Sequence, residues 1–170
     1  METRPFGVYI GVNMDKFEKE TRKIISEISE VLGKEILNTS YRFEFLGIPH
    51  SAPKSLDNGK MAIYIFKYKD TYLKIGKVGA KSEARYTYQH YSPNSSRSNL
   101  AKSILKDEVF SISHSITKEN VDQWIKDNCQ RINILIDEEL GHFALSLIEA
   151  ILHYKYQPKY EGFKRSSMRV

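Results

Sequence analysis

The chain has 170 residues, of which 41% are hydrophobic and 28% charged, an ordinary composition for one globular domain with its own core. Its 26 lysines and arginines outnumber its 21 aspartates and glutamates, so a polyanionic partner is favoured. The sequence has no apolar run long enough to span a membrane and no signal-peptide pattern. Its single cysteine, Cys129, cannot form an internal disulfide. These features predict a cytoplasmic protein.

The first third of the chain predicts one helix and one strand. Residues 1–13 are apolar-rich and are interpreted as an edge strand or an arm. Apolar residues at helical spacing predict a helix over residues 15–32, with Gly33 as its C-cap. Alternation predicts a strand over 41–48, and the composition of 50–59 indicates a loop.

A β-hairpin is predicted next, with strands over residues 61–67 and 72–78. Alternate residues of a strand share a face. Tyr72, Lys74 and Gly76 are therefore expected on one side of the second strand.

The segment after the hairpin predicts short helices with one strand between them. Residues 82–91 favour a helix with Ser82 as a possible N-cap, and residues 100–106 favour another. Weak alternation over 109–116 suggests a strand. A helix over 117–129 completes this part of the chain.

The last elements are a strand over residues 131–136 and a long helix over 137–156, which Pro158 ends. No internal repeat and no change of composition marks a domain boundary. The sequence therefore predicts a single α+β domain over residues 1–170.

Five short features stand in a characteristic order along the chain. They are Ala62-Ile63-Tyr64, Lys74-Ile75-Gly76, Arg85, Glu149 and Pro158-Lys159-Tyr160. In order and spacing they resemble the GIY-YIG nuclease superfamily, most closely its type II restriction endonuclease branch.

The resemblance implies a small antiparallel sheet, a hairpin plus a third strand, flanked by helices. It covers a core of about residues 60–90 and 131–161. Residues 1–58 and 92–129 are then additions to this core, expected to read DNA and to supply dimer contacts.

The chain departs from the family pattern at several positions. Ala62 replaces the first glycine, Lys74 replaces the tyrosine of the second motif, and Glu161 stands where many members have asparagine. Gln89 occupies the position of a usual tyrosine or histidine. The neighbouring His90 is a candidate member of the active site, although a regular helix places it about 140° from Arg85.

The resemblance also implies a role for each candidate residue. Tyr64 is the general base; its phenol has a reference pKa of about 10 and needs a nearby cation to act near neutral pH. Lys74 or Lys77 is expected to supply that charge, and the sequence leaves open which one does. Arg85 would hold the scissile phosphate. Glu149 would ligate one Mg²⁺ or a similar ion such as Mn²⁺.

The predicted position of Glu149 on its helix supports a special role. It lies beside Leu145 and Leu152 at the border of the apolar face, where a carboxylate needs a metal, an arginine or a salt bridge. A zinc site is the alternative interpretation of this helix face. His142 and His153, however, are eleven residues apart, or roughly 16 Å at helical rise.

These features together predict a Mg²⁺-dependent, sequence-specific endonuclease for double-stranded DNA. A homodimer is expected because two strands need two active centres, and no organic cofactor is expected. The alternatives are a repair or mobile-element nuclease that nicks with little specificity, and a non-catalytic DNA-binding module on a decayed nuclease fold. Six basic residues are predicted to bind DNA phosphates, and the alternative is that they are ordinary solvated surface residues. They are Arg97, Lys102, Lys106, Lys164, Arg165 and Arg169.

Overall fold

A computed structural model of the chain describes the backbone of residues 6–95 and 98–161, and within these ranges the side chains from residue 15 onward. The elements in this part of the chain are α1 (Phe6–Leu32), β1 (Tyr41–Phe45), β2 (Lys60–Tyr68), β3 (Thr71–Val78), α2 (Glu83–Thr87), α3 (Leu100–Lys106), α4 (Glu108–Ser113), α5 (Val121–Asn128), β4 (Gln130–Asp137) and α6 (Gly141–Tyr156). None of the described helices is long and apolar enough to cross a membrane.

The four strands form one antiparallel sheet in the order β1-β4-β2-β3. The predicted α+β class is confirmed, as are the hairpin of β2 and β3 and the third strand, β4, beside β2. The strand predicted over residues 41–48 forms as β1 and ends at Phe45. It lies N-terminal to the hairpin in the chain and extends the sheet to four strands.

Both faces of the sheet are covered, so the central strand β2 is buried on both sides. Tyr64 and Phe66 face a core that includes residues of α3 and α5. Ile63 and Ile65 face a second core with residues of α1 and α6. Burial on both sides explains why β2 is an almost continuous apolar run.

The predicted helix over residues 15–32 is confirmed, and so is its C-cap. Gly33 has a φ of +62°, and the next N–H, that of Lys34, donates to the Ser29 carbonyl at 3.1 Å. The interpretation of residues 1–13 as an edge strand or arm is wrong for 6–13, which belong to α1. Once a helix is nucleated, each added residue gains one backbone hydrogen bond, so a helix can extend beyond the segment whose apolar spacing predicts it.

The helix predicted over residues 82–91 is shorter than expected. α2 ends at Thr87, and the Ser82 side chain makes no capping hydrogen bond. The carbonyl of Tyr86 accepts a hydrogen bond from the guanidinium of Arg131. This carbonyl is the one that would bond the N–H of residue 90 in a longer helix, so the chain turns inward instead.

The weak strand predicted over residues 109–116 is wrong, because Glu108–Ser113 forms α4. Asp107 is its N-cap and accepts from the Phe110 N–H at 3.2 Å. Val109 and Ile112 are 83% and 78% exposed, so the apparent alternation came from apolar side chains on a helix surface.

Two further helices begin later than predicted. The helix expected from Thr117 begins at Val121, because Asn120 Oδ1 accepts from the Thr117 N–H at 2.7 Å and the intervening residues form a turn. The helix expected from Asp137 begins at Gly141, because Asp137 is still paired in β4.

A β-bulge changes which residues share a face in the hairpin. Phe66 pairs with Lys74 but Lys67 pairs with Tyr72, so one residue of β3 between them has no partner of its own. Tyr72 is therefore turned to the α6 side, where its ring stacks on Tyr156 with 4.3 Å between centroids. The prediction that Tyr72 lies on the same face as Lys74 is wrong for this reason.

Candidate active site

The candidate site lies at the β3 edge of the sheet. α2 contacts β3 shortly after the hairpin, and α6 packs against it on the sheet's other side. Side chains from both helices therefore reach the same edge. The structure joins Tyr64 to Arg85 and His90 by direct contacts, and it pairs Lys77 with Glu149 and Lys74 with Glu161.

Tyr64 is fully buried, and its phenol oxygen accepts a hydrogen bond from Arg85 Nε at 3.0 Å. The phenol lies directly over Gly76, its cross-strand partner. A Cβ at position 76 would stand 2.2 Å from Tyr64 Oη and 2.5 Å from Cζ. Glycine is required here because any side chain would displace the phenol. Its place opposite Tyr64 in the hairpin register is the sequence signal that marks it as a site residue.

The protonation of Tyr64 is set mainly by its burial. Burial raises the pKa of Tyr64 to about 12, and the charge and hydrogen bond of Arg85 oppose this rise. The carboxylates of Glu161 and Glu149 lie near enough to raise the pKa further. Tyr64 is therefore a neutral phenol at physiological pH. Its action as a base requires positive charge beyond that of Arg85.

The two lysines have partners other than Tyr64. Lys74 Nζ donates to Glu161 Oε1 at 2.9 Å, and Lys77 pairs with Glu149. Among the described residues Arg85 is the cation that hydrogen-bonds Tyr64, and the expectation that Lys74 or Lys77 supplies positive charge for Tyr64 stays a prediction. The Lys77–Glu149 pair nonetheless connects β3 to α6 at the edge of the site.

His90 packs against Tyr64, with 4.3 Å between ring centroids, and is 1% exposed. Neither of its ring nitrogens has a hydrogen-bond partner among the described residues. Burial, followed by the charges of Lys74, Arg85 and Arg131, lowers the pKa of His90 to about 2. His90 is therefore neutral. It reaches Tyr64 because α2 ends early, which removes the 140° offset expected from a regular helix.

Arg131 supports the site from behind and is fully buried. Its guanidinium donates to Asn133 Oδ1 and to Tyr91 Oη, each at 3.0 Å, and to the Tyr86 carbonyl. None of its partners among the described residues is a carboxylate. Arg131 thereby fixes the segment that carries Arg85. An arginine beside the isoleucine-rich run of strand RINILI, with Asn133 two residues on, is the sequence signal for this role.

Glu149 lies between the buried residues Leu145 and Leu152 on α6, as predicted, and its side chain is 17% exposed. The described residues contain no group of three or more His, Cys, Asp or Glu side chains that could hold a metal. His153 Nε2 lies 2.9 Å from the Ile75 carbonyl, and nothing supports the zinc alternative. Mg²⁺ often uses only one or two protein carboxylates together with water and substrate phosphates, and Glu149 fits that mode.

A basic groove of about 580 Å³ lies on the central addition, and Lys102, Lys106 and Lys118 contribute to its lining. Lys102 Nζ also donates to the Ser95 carbonyl at 3.2 Å. The other predicted phosphate binders lie outside the described residues: Arg97, Lys164, Arg165 and Arg169.

Comparison of the chain with protein-family models, with curated proteins and with solved structures finds no match. A function for this site therefore has to be argued from its residues and geometry.

Two buried histidines make a measurable prediction. Burial lowers the pKa of His50 to about 4 and that of His90 to about 2, against about 6.5 in an unfolded chain. Below pH 6.5 the unfolded chain binds more protons, so the free energy of unfolding falls as the pH falls. Each histidine is expected to contribute about 1.2 kcal/mol over the pH unit between pH 6 and pH 5.

Urea unfolding of the wild type and of His90→Leu at pH 7, 6 and 5 measures this dependence. In His90→Leu, the part of the pH dependence of the unfolding free energy that comes from His50 and His90 is expected to fall by about half. This expectation does not depend on the stability of the variant at pH 7. Equal slopes in the two proteins would contradict the buried, neutral state of His90.

Proposed function

We propose that the chain is a Mg²⁺-dependent endonuclease that hydrolyses double-stranded DNA at specific sites, a type II restriction enzyme of the GIY-YIG type. The observation that carries this proposal is the arrangement at the edge of β3. Arg85 Nε donates to the phenol of Tyr64 above Gly76, and Glu149 lies close enough to act on the same phenol.

Hydrolysis needs a base for the attacking water, and Tyr64 fills this role. Tyr64 first loses its phenolic proton to solvent, and the phenolate then takes a proton from the attacking water as the new bond to phosphorus forms. The bond from phosphorus to the 3′ oxygen breaks, and that oxygen takes up a proton from solvent. The products are a 5′ phosphate and a 3′ hydroxyl.

Arg85 serves both the base and the phosphate. Its Nε is engaged with Tyr64, which favours the phenolate. Its terminal nitrogens have no hydrogen-bond partner among the described residues. The remaining planar N–H groups suit the non-bridging oxygens of a phosphate, where negative charge grows during the reaction.

Glu149 would hold the metal, which when bound supplies Lewis-acid stabilisation of the phosphate and positive charge near Tyr64. Lys77 competes for the same carboxylate in the free protein. With Glu149 as a metal ligand, Lys77 would be available to bind a phosphate oxygen. Mn²⁺ is expected to replace Mg²⁺, because it accepts the same oxygen ligands.

The parts of the chain outside the core suit DNA reading. The groove lined by Lys102, Lys106 and Lys118 has the charge needed to contact the DNA backbone. One chain offers one such centre, so cutting both strands requires two copies arranged as a homodimer. An enzyme of this kind acts on DNA in the cytoplasm. It needs no organic cofactor and does not bind a membrane.

The test is incubation of the purified chain with a long, fully sequenced, unmethylated DNA, with Mg²⁺ or with EDTA. Discrete fragments that require Mg²⁺ are expected, and the sequences of their ends give the site and the stagger. A smear or nicked circles would instead favour a nicking nuclease of repair or of a mobile element. Binding without cutting in Mg²⁺ and Mn²⁺ would favour a non-catalytic DNA-binding module.

A further inference from the structure

Lys74 is a buried cation with one carboxylate partner. Its side chain is 3% exposed, and its Nζ lies 2.9 Å from an oxygen of Glu161, whose side chain is 19% exposed. A buried ammonium without a partner loses its hydration free energy, and no interaction inside the protein compensates for that loss. Glu161 therefore compensates the buried side-chain nitrogen of Lys74.

This ion pair lies beside the two rings at the centre of the site. Lys74 pairs with Phe66 in the sheet register, and Phe66 packs against His90, with 5.6 Å between ring centroids. After burial, the charge of Lys74 is the next largest cause that lowers the pKa of His90. The carboxylate of Glu161 has the opposite effect on the neighbouring ring, because it raises the pKa of Tyr64. The pair thus places one charge of each sign next to the Tyr64–His90 contact.

The backbone around Glu161 is attached to the strand that carries Lys74. Gln157 takes a left-handed conformation, with a φ of +47°, and ends α6. The next residues lie along the edge of β3. The N–H groups of Lys159 and Tyr160 donate to the carbonyls of Tyr72 and Leu73 at 2.9 and 3.0 Å.

A second attachment joins the same segment to the central addition. Tyr160 Oη donates to Asp107 Oδ2 at 3.1 Å, and Lys159 Nζ pairs with the same carboxylate. Asp107 is itself fixed as the N-cap of α4. The position of Glu161 is thus set by strand β3 on one side and by α4 on the other.

We infer that Glu161 is a positioning residue of the reaction centre, which holds Lys74 as a fixed cation and balances its charge beside Tyr64. This inference rests on the proposed function. The two residues act as one unit of near-zero net charge. Loss of one partner changes the electrostatic field at Tyr64, and loss of both restores the balance.

The pair predicts pH effects of opposite sign. Glu161→Gln removes negative charge near Tyr64, so the rising limb of kcat/KM against pH is expected to move about one unit lower. Lys74→Met leaves Glu161 unbalanced, so the limb is expected to move to higher pH. In the double variant the limb is expected to return close to the wild-type position. Each single variant is also expected to lose 10- to 100-fold in kcat/KM, a loss on the order of those seen for other supporting residues.

The experiment measures Mg²⁺-dependent cleavage of a defined DNA between pH 6 and pH 9 by wild type, both single variants and the double variant. Glu139→Gln, which neutralises an exposed carboxylate after β4, is the matched control and should leave the profile in place. Opposite shifts that cancel in the double variant support the inference. Unshifted profiles, or shifts in the same direction, overturn it while leaving the proposed function intact.

Stability provides a readout that needs no catalysis. The urea midpoint of each single variant is expected below that of the double variant, because each single variant leaves a partly or fully buried charge unpaired. A double variant less stable than both singles would overturn the pairing. No cleavage by the wild type would overturn the proposed function, and the catalytic role of Glu161 with it.

Discussion

Glu149→Gln is expected to reduce Mg²⁺-dependent cleavage by about a thousandfold or more. The amide keeps the shape of the side chain but removes the charge that attracts the divalent ion. Loss of the stabilisation that such an ion provides raises the barrier by several kcal/mol, and each 1.4 kcal/mol is about a tenfold change in rate. DNA binding is expected to change little, because most of its affinity comes from contacts between lysines or arginines and phosphates.

Two measurements separate these effects. Fluorescence anisotropy with labelled DNA in EDTA measures binding, and the rate of the first cut in Mg²⁺ measures catalysis. The exposed Glu139→Gln serves as the matched control and should cut at the wild-type rate. A Glu149→Gln protein that cuts normally would remove Glu149 from the mechanism. A protein that neither binds nor cuts would indicate a structural role instead.

Arg131→Ala is expected to destabilise the fold by about 3–5 kcal/mol. The substitution empties a fully buried position and leaves the Tyr86 carbonyl, Tyr91 Oη and Asn133 Oδ1 without their donor. Each buried acceptor left unpaired costs roughly 1–3 kcal/mol, and the cavity adds to this. Such a loss is a large part of the stability of a domain of this size.

Urea unfolding at pH 7 measures the effect against a matched arginine on a neighbouring strand. Arg42 lies on β1, is 47% exposed, and pairs with Glu44 and Asp57 on the surface. Arg42→Ala is expected to cost at most about 1 kcal/mol, since exposed ion pairs contribute little. Similar losses in the two variants would contradict the supporting role of Arg131. At temperatures where Arg131→Ala is still folded, its cleavage rate should be lower than that of the wild type. The reason is that the segment carrying Arg85 loses its hydrogen bond to Arg131.

The sequence predicted the elements whose signals are local. Strand β2 is a nearly continuous apolar run, and strand β3 alternates apolar and polar residues. A short polar turn separates them, so both strands were recognisable in the sequence. The candidate residues Tyr64, Arg85 and Glu149 were also found from motif order alone. Arg85 hydrogen-bonds Tyr64, and the charge of Glu149 raises the pKa of the same phenol. Their chemical role remains a prediction.

What the sequence could not predict depends on distant contacts. His90 reaches Tyr64 because Arg131, far along the chain, takes the carbonyl that would have continued α2. The partner of Lys74 is Glu161, 87 residues away, so local charge patterns gave no means of choosing it. The helix α4 was missed because its exposed apolar side chains imitate strand alternation.

The segment that follows α6 has a consequence for how molecules of this protein associate. The outward carbonyls of Tyr72, Leu73 and Ile75 on β3 have partners: the N–H groups of Lys159 and Tyr160, and His153 Nε2. An open strand edge is a template for pairing with another chain, and so for aggregation. Because these groups already occupy the edge at Tyr72, Leu73 and Ile75, this part of β3 does not offer its carbonyls to a second molecule.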